Sequence, residues 1–340
     1  MSHVRSKRGW TNRVAPFAVV AGLAIGLVGA PRQAAAQGTL NAGCQGSALL
    51  FQDACQKTVD IFSYLAPQLS TAVAVGNANL GQASTLGGLG HFTIGIRGNA
   101  VDGDIPKVDN VTLSTTGPVS DSFPVTRIPV PMVTADAGIG LFKGLPLGVT
   151  HVLGVDALLS ALYIPHYNSS NVSVDPNHSL RIGYGVRVGL LAESALVPGV
   201  SFTYLQRGLP QTTVVAVTNS DSLPVQNLDI TTKSWRLVAG KHLLFLGLSA
   251  GYGRDTYDAS TSVAATVSGV PSGSTPLASP SLTMTRTNYF GDVSLDFPVF
   301  GIGGEIGRVS GGDVSTYNTF ENKPAGAARL YASFGMHVKI

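Results

Sequence analysis

Residues Arg329 to Ile340 read RLYASFGMHVKI, and their alternation limits the fold to two classes. Every second residue from Leu330 to Ile340 is apolar, and the residues between them are polar, small or aromatic with a hydroxyl. Because side chains on a strand point alternately to its two faces, the pattern predicts a strand with one wholly apolar face. Such a face meets lipid in an outer-membrane β-barrel or a protein core in a soluble sandwich. This strand alone leaves both folds open.

Nine earlier segments show the same two-residue alternation. The clearest is Leu180 to Leu190, where Leu, Ile, Tyr and Val alternate with Arg and Gly. Beyond the N-terminus, no apolar run is long enough to cross a membrane as a helix, for which about 20 residues are needed. The sequence therefore predicts about ten strands, at residues 91–101, 133–141, 153–163, 180–190, 200–204, 234–239, 246–253, 289–297, 302–307 and 329–340.

The lengths of the connections distinguish the two folds. Short connections at 143–148, 193–199, 240–242 and 298–300 alternate with long ones at 102–129, 165–178, 208–229, 255–285 and 310–326. Membrane barrels have short periplasmic turns and long outer loops, whereas nothing in a sandwich requires short and long loops to alternate. We therefore predict an all-β transmembrane antiparallel up-and-down barrel over residues 89–340, with both ends periplasmic. Residues 104–114 and 122–130 offer a further hairpin, so the prediction covers about 10–12 strands.

Composition and charge narrow the partners. Charged residues make up only 12% of the 340-residue chain, roughly half the share of a soluble domain. The net charge of +3 includes a basic leader, so the remainder is near neutral and nucleic acid is not an expected partner. The expected partners are outer-membrane lipid and the barrel-assembly machinery, which would engage the last strand.

The N-terminal region predicts export followed by a plug-like segment. Residues 1–36 combine a basic start, an apolar run and Ala34-Ala35-Ala36, which predicts a signal peptide cleaved before Gln37. Residues 37–88 carry helical spacing of apolar side chains and then a linker rich in Gly, Asn and Ser. In an oxidising periplasm, Cys44 and Cys55 are expected to form a disulfide. The alternative is a lipoprotein cysteine at Cys44.

Lumen-facing positions suggest where a ligand would bind. Charges of both signs recur there and would either set selectivity or pair with one another inside a narrow barrel. Several inward positions are apolar instead. They would either pack against the N-terminal helix, or be flipped outward by a bulge, or form a patch for an apolar ligand. The candidate ligand-binding residues are Met132, Phe142, Leu158, Leu162 and Ile164, with Arg97 or Arg181 available to hold a carboxylate.

No catalytic, metal or cofactor site is predicted. Gly247 to Gly251 matches the G-x-S-x-G motif of a nucleophile elbow, but that motif requires a strand-to-helix turn and Ser249 falls in the middle of a predicted strand. The His and Cys residues show no spacing typical of zinc. We therefore expect a protein that is not an enzyme and that has no cofactor.

The linker and first strand carry a family resemblance. Asn77-Ala78-Asn79-Leu80 and Gly90-His91-Phe92-Thr93-Ile94-Gly95 resemble the segment that joins the N-terminal hatch to the first strand in outer-membrane long-chain fatty-acid transporters. The resemblance implies a plugged barrel that passes hydrophobic ligands from an outer groove through a lumen pocket to a lateral opening. The alternative function is a closed structural or surface-interaction barrel that acts through its long outer loops.

Overall fold

The chain is described here by a computed structural model. The predicted signal peptide, Met1 to Ala36, lies outside the described residues. The structure describes residues 38–78, 80–108, 111–169, 172–218, 221–264, 277–321 and 323–340.

Two helices precede fourteen strands in the described part of the chain. The helices are α1 (Ala42–Gln45) and α2 (Leu49–Ala74). The strands are β1 (Phe92–Pro106), β2 (Val125–Phe142), β3 (Leu145–Leu147), β4 (Thr150–Val152), β5 (Gly154–Tyr163), β6 (Tyr167–Asn168), β7 (Val172–Pro176), β8 (Leu180–Leu191), β9 (Gly199–Thr218), β10 (Asp221–Leu243), β11 (Leu246–Val263), β12 (Ser281–Asp296), β13 (Phe300–Val309) and β14 (Arg329–Lys339).

Ten of these strands form a closed antiparallel barrel. The wall runs β1, β2, β5, β8, β9, β10, β11, β12, β13 and β14, and it closes where Thr93 to Val101 of β1 pair with β14. The prediction of a barrel is confirmed at its lower strand number. Residues 104–114 and 122–130 add no hairpin to the wall, because they extend β1 and β2 and otherwise form a loop.

The outer ends of several strands reach further than the alternation predicted. The prediction of a loop at 208–229 is wrong, because β9 and β10 continue as a paired ribbon to Thr218 and Asp221. Likewise, part of the loop predicted at 165–178 forms a small hairpin of β6 and β7, whose β7 strand pairs with β9. These extensions lie beyond the apolar alternation, on the outer side of the barrel. Their outward faces do not need to be apolar there, so the two-residue pattern that predicts a strand is missing.

The outside of the barrel carries an apolar belt. Outward side chains of β1, β8 and β14 are large and exposed, including Ile96, Ile182 and Phe334. A row of aromatic side chains borders the belt on β9 to β12, with ring centroids 5.2 to 6.1 Å apart, formed by Phe202, Trp235, Tyr252 and Tyr289. An apolar band with an aromatic girdle is the surface of an outer-membrane barrel, and the protein is located in the bacterial outer membrane.

Helix α2 lies inside the barrel. Most of its side chains are buried, and it contacts β1, β2, β9, β10, β11 and β12. Its first half meets the outer loops, where the Asp60 carboxylate accepts hydrogen bonds from the backbone and side-chain amides of Asn318. The predicted disulfide between Cys44 and Cys55 is confirmed, and it ties α1 to α2. Neither described helix is both long and apolar enough to span a bilayer.

Candidate functional site

A cavity of about 480 Å³ lies between α2 and one side of the barrel wall. Its volume falls in the range of small-molecule sites, roughly 300–1,000 Å³. The lining residues come from α2, β1, β2, β5, β7, β9 and β10 and the segments beside them, and nearly all are apolar. A largely apolar concave space inside a membrane barrel is suited to a hydrophobic molecule.

One face of α2 forms the inner wall of the cavity. Ile61, Phe62, Leu65, Ala66 and Leu69 all line it. These positions are spaced by one, three, one and three residues, so they share a helical face. The opposite side of the cavity is formed by Met132, Leu209, Leu223, Val225 and Leu228 of the barrel wall. The helix therefore fills only part of the lumen width and leaves the cavity beside it.

The strands of the barrel wall are shorter next to the cavity than on either side of it. β5 ends at Tyr163 and β8 begins at Leu180, while β2 and β9 continue outward on either side. Over residues 125–132, β2 pairs with β1 alone, and within the described ranges its other edge has no strand partner. Val133 and Tyr163 form the last cross-strand pair below this gap, and both are about half exposed on the outer face. We call the gap between the upper part of β2 and the β6–β7 hairpin the notch.

The cavity reaches the outside through the notch. Its lining includes Pro131 and Val133 on one side of the gap, and Pro165, Val172 and Val174 on the other. Val133 and Tyr163 belong to the upper part of the apolar belt, so the notch opens at the outer border of the membrane. A hydrophobic molecule in the cavity therefore has a sideways route to lipid.

Two prolines explain why the edge of β2 stays open. Pro129 and Pro131 face β1 residues within an unbroken antiparallel register. Since proline has no N–H, it fits such a ladder only where its nitrogen points away from the paired neighbour. Both nitrogens therefore point toward the notch, and at these two positions the edge lacks the amide donors that an added strand would need.

On the periplasmic side of the cavity, charged side chains and the end of α2 fill the lumen. Arg97 pairs with Asp136 at 2.9 Å and donates to the carbonyl of Val75 at 2.8 Å. Arg207 and Arg236 donate to the Ala74 carbonyl at 3.1 and 2.6 Å. Three arginines thus meet the carbonyl end of α2, where the helix dipole is negative. The predicted mutual pairing of lumen charges is present at these positions.

The linker after α2 crosses the rest of the lumen. The Asn77 amide donates to Glu305 at 3.0 Å, and the Leu86 amide donates to both oxygens of Asp156 at 3.1 Å. Asp156 also pairs with Arg187 at 2.7 Å. These bonds hold the linker to several strands on the periplasmic side of the cavity.

The structure separates the predicted ligand residues. Met132 and Ile164 line the cavity. Leu162 is buried in the hydrophobic cluster around it. Leu158 is buried as well but is not part of the lining. The inward orientation predicted for Phe142 is wrong. A β-bulge shifts the register between Gly140 and Phe142, and the Phe142 side chain is exposed.

Neither predicted arginine lies in the cavity lining. Arg97 is occupied by Asp136, Asn99 and the Val75 carbonyl. Arg181 forms an ion pair with Asp229 and donates to the Leu209 carbonyl and to Thr231. Their positive charges are therefore already paired within the protein.

Sequence reasoning missed the contribution of the upper strands. Val172, Val174, Leu209, Val214 and Leu223 line the cavity, yet they fall in segments that the alternation assigned to loops. The ladder between β9 and β10 is irregular from Val225 to Ile230, and Asn227 has a φ of 53°. A bulge of this kind breaks the two-residue period, so only the excess of Val and Leu in these segments signalled buried structure.

Ser249 does not occupy a nucleophile elbow. It lies within β11, three residues after the first residue of the strand, and its hydroxyl donates to Asp292 at 2.9 Å. Among the residues that the structure describes, no group of three or more His, Cys, Asp or Glu side chains could hold a metal ion.

No protein-family model and no curated protein matches the chain. Among solved structures, it is similar to Ail, the attachment invasion locus protein of Yersinia pestis, at 11% identity over 74% of this chain and 99% of that one, with a TM-score of 0.29. It is also similar to the toluene transporter TbuX of Ralstonia pickettii, at 12% identity over 80% and 93%, with a TM-score of 0.27. The transport unit of the autotransporter AIDA-I from Escherichia coli gives 9% identity over 84% and 98%, with a TM-score of 0.31. At this level the similarities carry no conclusion about function.

Proposed function

We propose that this outer-membrane barrel takes up small hydrophobic molecules and passes them sideways into the membrane through the notch. The observation that carries the proposal is one continuous apolar cavity whose lining includes both helix residues, such as Phe62, and residues at the edge of the wall, such as Val133. A hydrophobic molecule that crossed the lumen to the periplasm would have to displace the linker and the arginines below it. Movement through the notch needs no such displacement.

The proposal does not include catalysis. Ser249 is hydrogen-bonded to Asp292 within a strand, so the sequence motif around it has a structural use. The protein acts in this proposal by binding and releasing its ligand unchanged.

The test is to fill the cavity and then measure ligand binding. Ala66 is buried and lines the cavity, so Ala66→Phe places a ring in the space that the ligand would use. In lipid nanodiscs, retention of radiolabelled methyl dodecanoate should fall by about 10-fold or more, the effect of losing roughly 1.4 kcal/mol. Ala332→Phe is the matched control, because Ala332 faces outward on β14. Equal retention by both variants and the wild type would remove the support for the cavity.

A second variant addresses the route. Val133→Trp places a large side chain at the base of the notch, beside Tyr163. Because Val133 lies at the edge of the cavity, binding to purified protein should fall less than in Ala66→Phe, whereas delivery of the ester from outside into cells should slow. Unchanged delivery would exclude the notch as the exit.

The alternative is a closed barrel that acts through its outer loops. The paired charges of the lower lumen favour it, because Arg97, Arg187 and Arg236 all have acidic partners inside the wall. A structural barrel would show no specific retention of the ester in the wild type. The Ala66→Phe comparison therefore distinguishes the two functions.

A further inference from the structure

We infer that the cavity selects uncharged hydrophobic molecules and excludes carboxylates, including ionised fatty acids. This inference rests on the proposed function and names the chemical class of its ligand. It differs from the expectation that an arginine would anchor an acid.

Of the described residues that line the cavity, none carries a charge. Three lining side chains bear a hydroxyl: Thr58, Tyr163 and Thr212. Thr58 donates its hydroxyl proton to the Ala54 carbonyl at 2.8 Å, and Thr212 donates to the Pro210 carbonyl at 2.6 Å. Tyr163 is about half exposed on the outer face, at the mouth rather than in the interior. The interior therefore offers neither a cation nor an uncommitted threonine proton.

Three basic side chains near the lining are already paired, whereas Lys107, between the lining residues Pro106 and Val108, is exposed to water. Arg181 is bound by Asp229 and by the Leu209 carbonyl. At the β6–β7 hairpin, His166 contacts Asp175 at 2.7 Å. On α2, Lys57 lies next to the lining residue Thr58, yet it pairs with Asp53 at 2.9 Å and donates to the Thr112 carbonyl. At Arg181, His166 and Lys57, a carboxylate could gain a cation only by displacing an existing acidic partner.

The backbone on the β2 side of the notch has fewer donors than an ordinary strand edge. An open strand edge normally presents amide N–H groups, which would attract an anion. Pro129 and Pro131 point their nitrogens into the notch and have no N–H group. An ionised acid that passed these two positions would leave water and find no compensating hydrogen bond from them.

These features set both the charge and the size of the ligand. A carboxylate buried without a partner is strongly disfavoured, whereas methylene groups gain from apolar burial. A space of about 480 Å³, packed at the density of protein interiors, holds on the order of 15 carbon atoms. The structure therefore assigns the cavity to neutral molecules such as medium-chain esters, alkanes or compact hydrocarbons.

The experiment compares two ligands that differ chiefly in charge. Methyl dodecanoate and dodecanoate have nearly the same length, and at pH 9 the acid is ionised. Wild-type protein in nanodiscs, corrected for empty nanodiscs, should bind the ester at least about 100-fold more tightly, since an unpaired buried charge is severely penalised. Comparable binding of acid and ester would overturn the inference and leave the proposed function standing. Specific binding of neither ligand would overturn the proposed function itself.

A charge added to the cavity should reverse the selection. Met132 lines the cavity, and Lys has a similarly long, unbranched side chain. Met132→Lys should increase dodecanoate binding by about 10-fold or more through a charge-assisted hydrogen bond. Met132→Gln is the neutral control and should not increase it. Folding of each variant is checked by its heat-modifiable gel mobility. If folded Met132→Lys binds the acid no better than the wild type does, a lack of charge is not what excludes acids.

Discussion

Arg207 shows how single side chains fix the plug in the lumen. Its guanidinium donates to the carbonyls of Ala74 and Gly76 at 3.1 and 3.0 Å, and it lies 3.6 Å from Asp136. The carbonyls at the end of a helix have no partner within the helix. Arg207 therefore supplies both hydrogen bonds and a positive charge where the helix end is negative.

Replacing Arg207 should weaken the whole barrel. Arg207→Met leaves the buried Gly76 carbonyl and part of the Asp136 charge without a partner, which is expected to lower the free energy of unfolding by about 3 kcal/mol. The urea midpoint of the folded species, followed by tryptophan fluorescence, measures the change. Arg254→Met is the matched control, because Arg254 is exposed on the outer face of β11, and it should not lower the midpoint. Equal midpoints for Arg207→Met and the wild type would show that the helix end needs no such cap.

At the scale of elements, the sequence predicted strands where lipid constrains one face and the lumen constrains the other. β8 and β14 were predicted almost residue by residue, because one face must be apolar and the other must fit the lumen. Above the belt, water meets the outer face, so the upper parts of β9 and β10 lost their period and were assigned to a loop. The cavity depends on those parts. Its wall and the partners of Arg97 and Arg181 required the register between strands, which alternation within one strand does not contain.

The disulfide is expected to hold the outer end of the plug. Cys44→Ser releases α1 from α2, because the disulfide joins two cysteines 11 residues apart. The unfolded chain then regains the conformational entropy that the disulfide removed, a loss of stability of roughly 2–3 kcal/mol. Thermolysin should then cleave near Leu49, which is already exposed in the intact protein, while the barrel remains uncut. The reduced wild type should be cut at the same rate as the variant. Resistance of both to cleavage would show that the outer loops alone hold this end.

At the scale of the whole molecule, the plug fills most of the lumen of the barrel. The lumen of a ten-stranded barrel is somewhat wider than that of an eight-stranded one, which side chains alone fill. Here α2 and the linker occupy the remaining width, and the cavity beside Phe62 is the space that they leave.

Removal of the plug should convert the protein into a pore. Deletion of residues 38–88 removes both the helix and the linker and exposes the paired charges of the lumen to water, so planar bilayers containing the variant should conduct ions steadily. The wild type should stay closed. Heat-modifiable mobility establishes that the deleted form is a folded barrel. Steady conduction by the wild type at the same level would mean that the plug does not close the lumen.

The pairing of β1 with β14 also bears on the order in which the barrel assembles. Two strands from opposite ends of the barrel sequence must meet before the wall is complete. The groups that grip α2 come from different sides of that wall, since Arg97 belongs to β1, Arg207 to β9 and Arg236 to β10. We expect these bonds to form while the wall is still open, so that the strands assemble around a helix that precedes them in the chain and β1 pairs with β14 last.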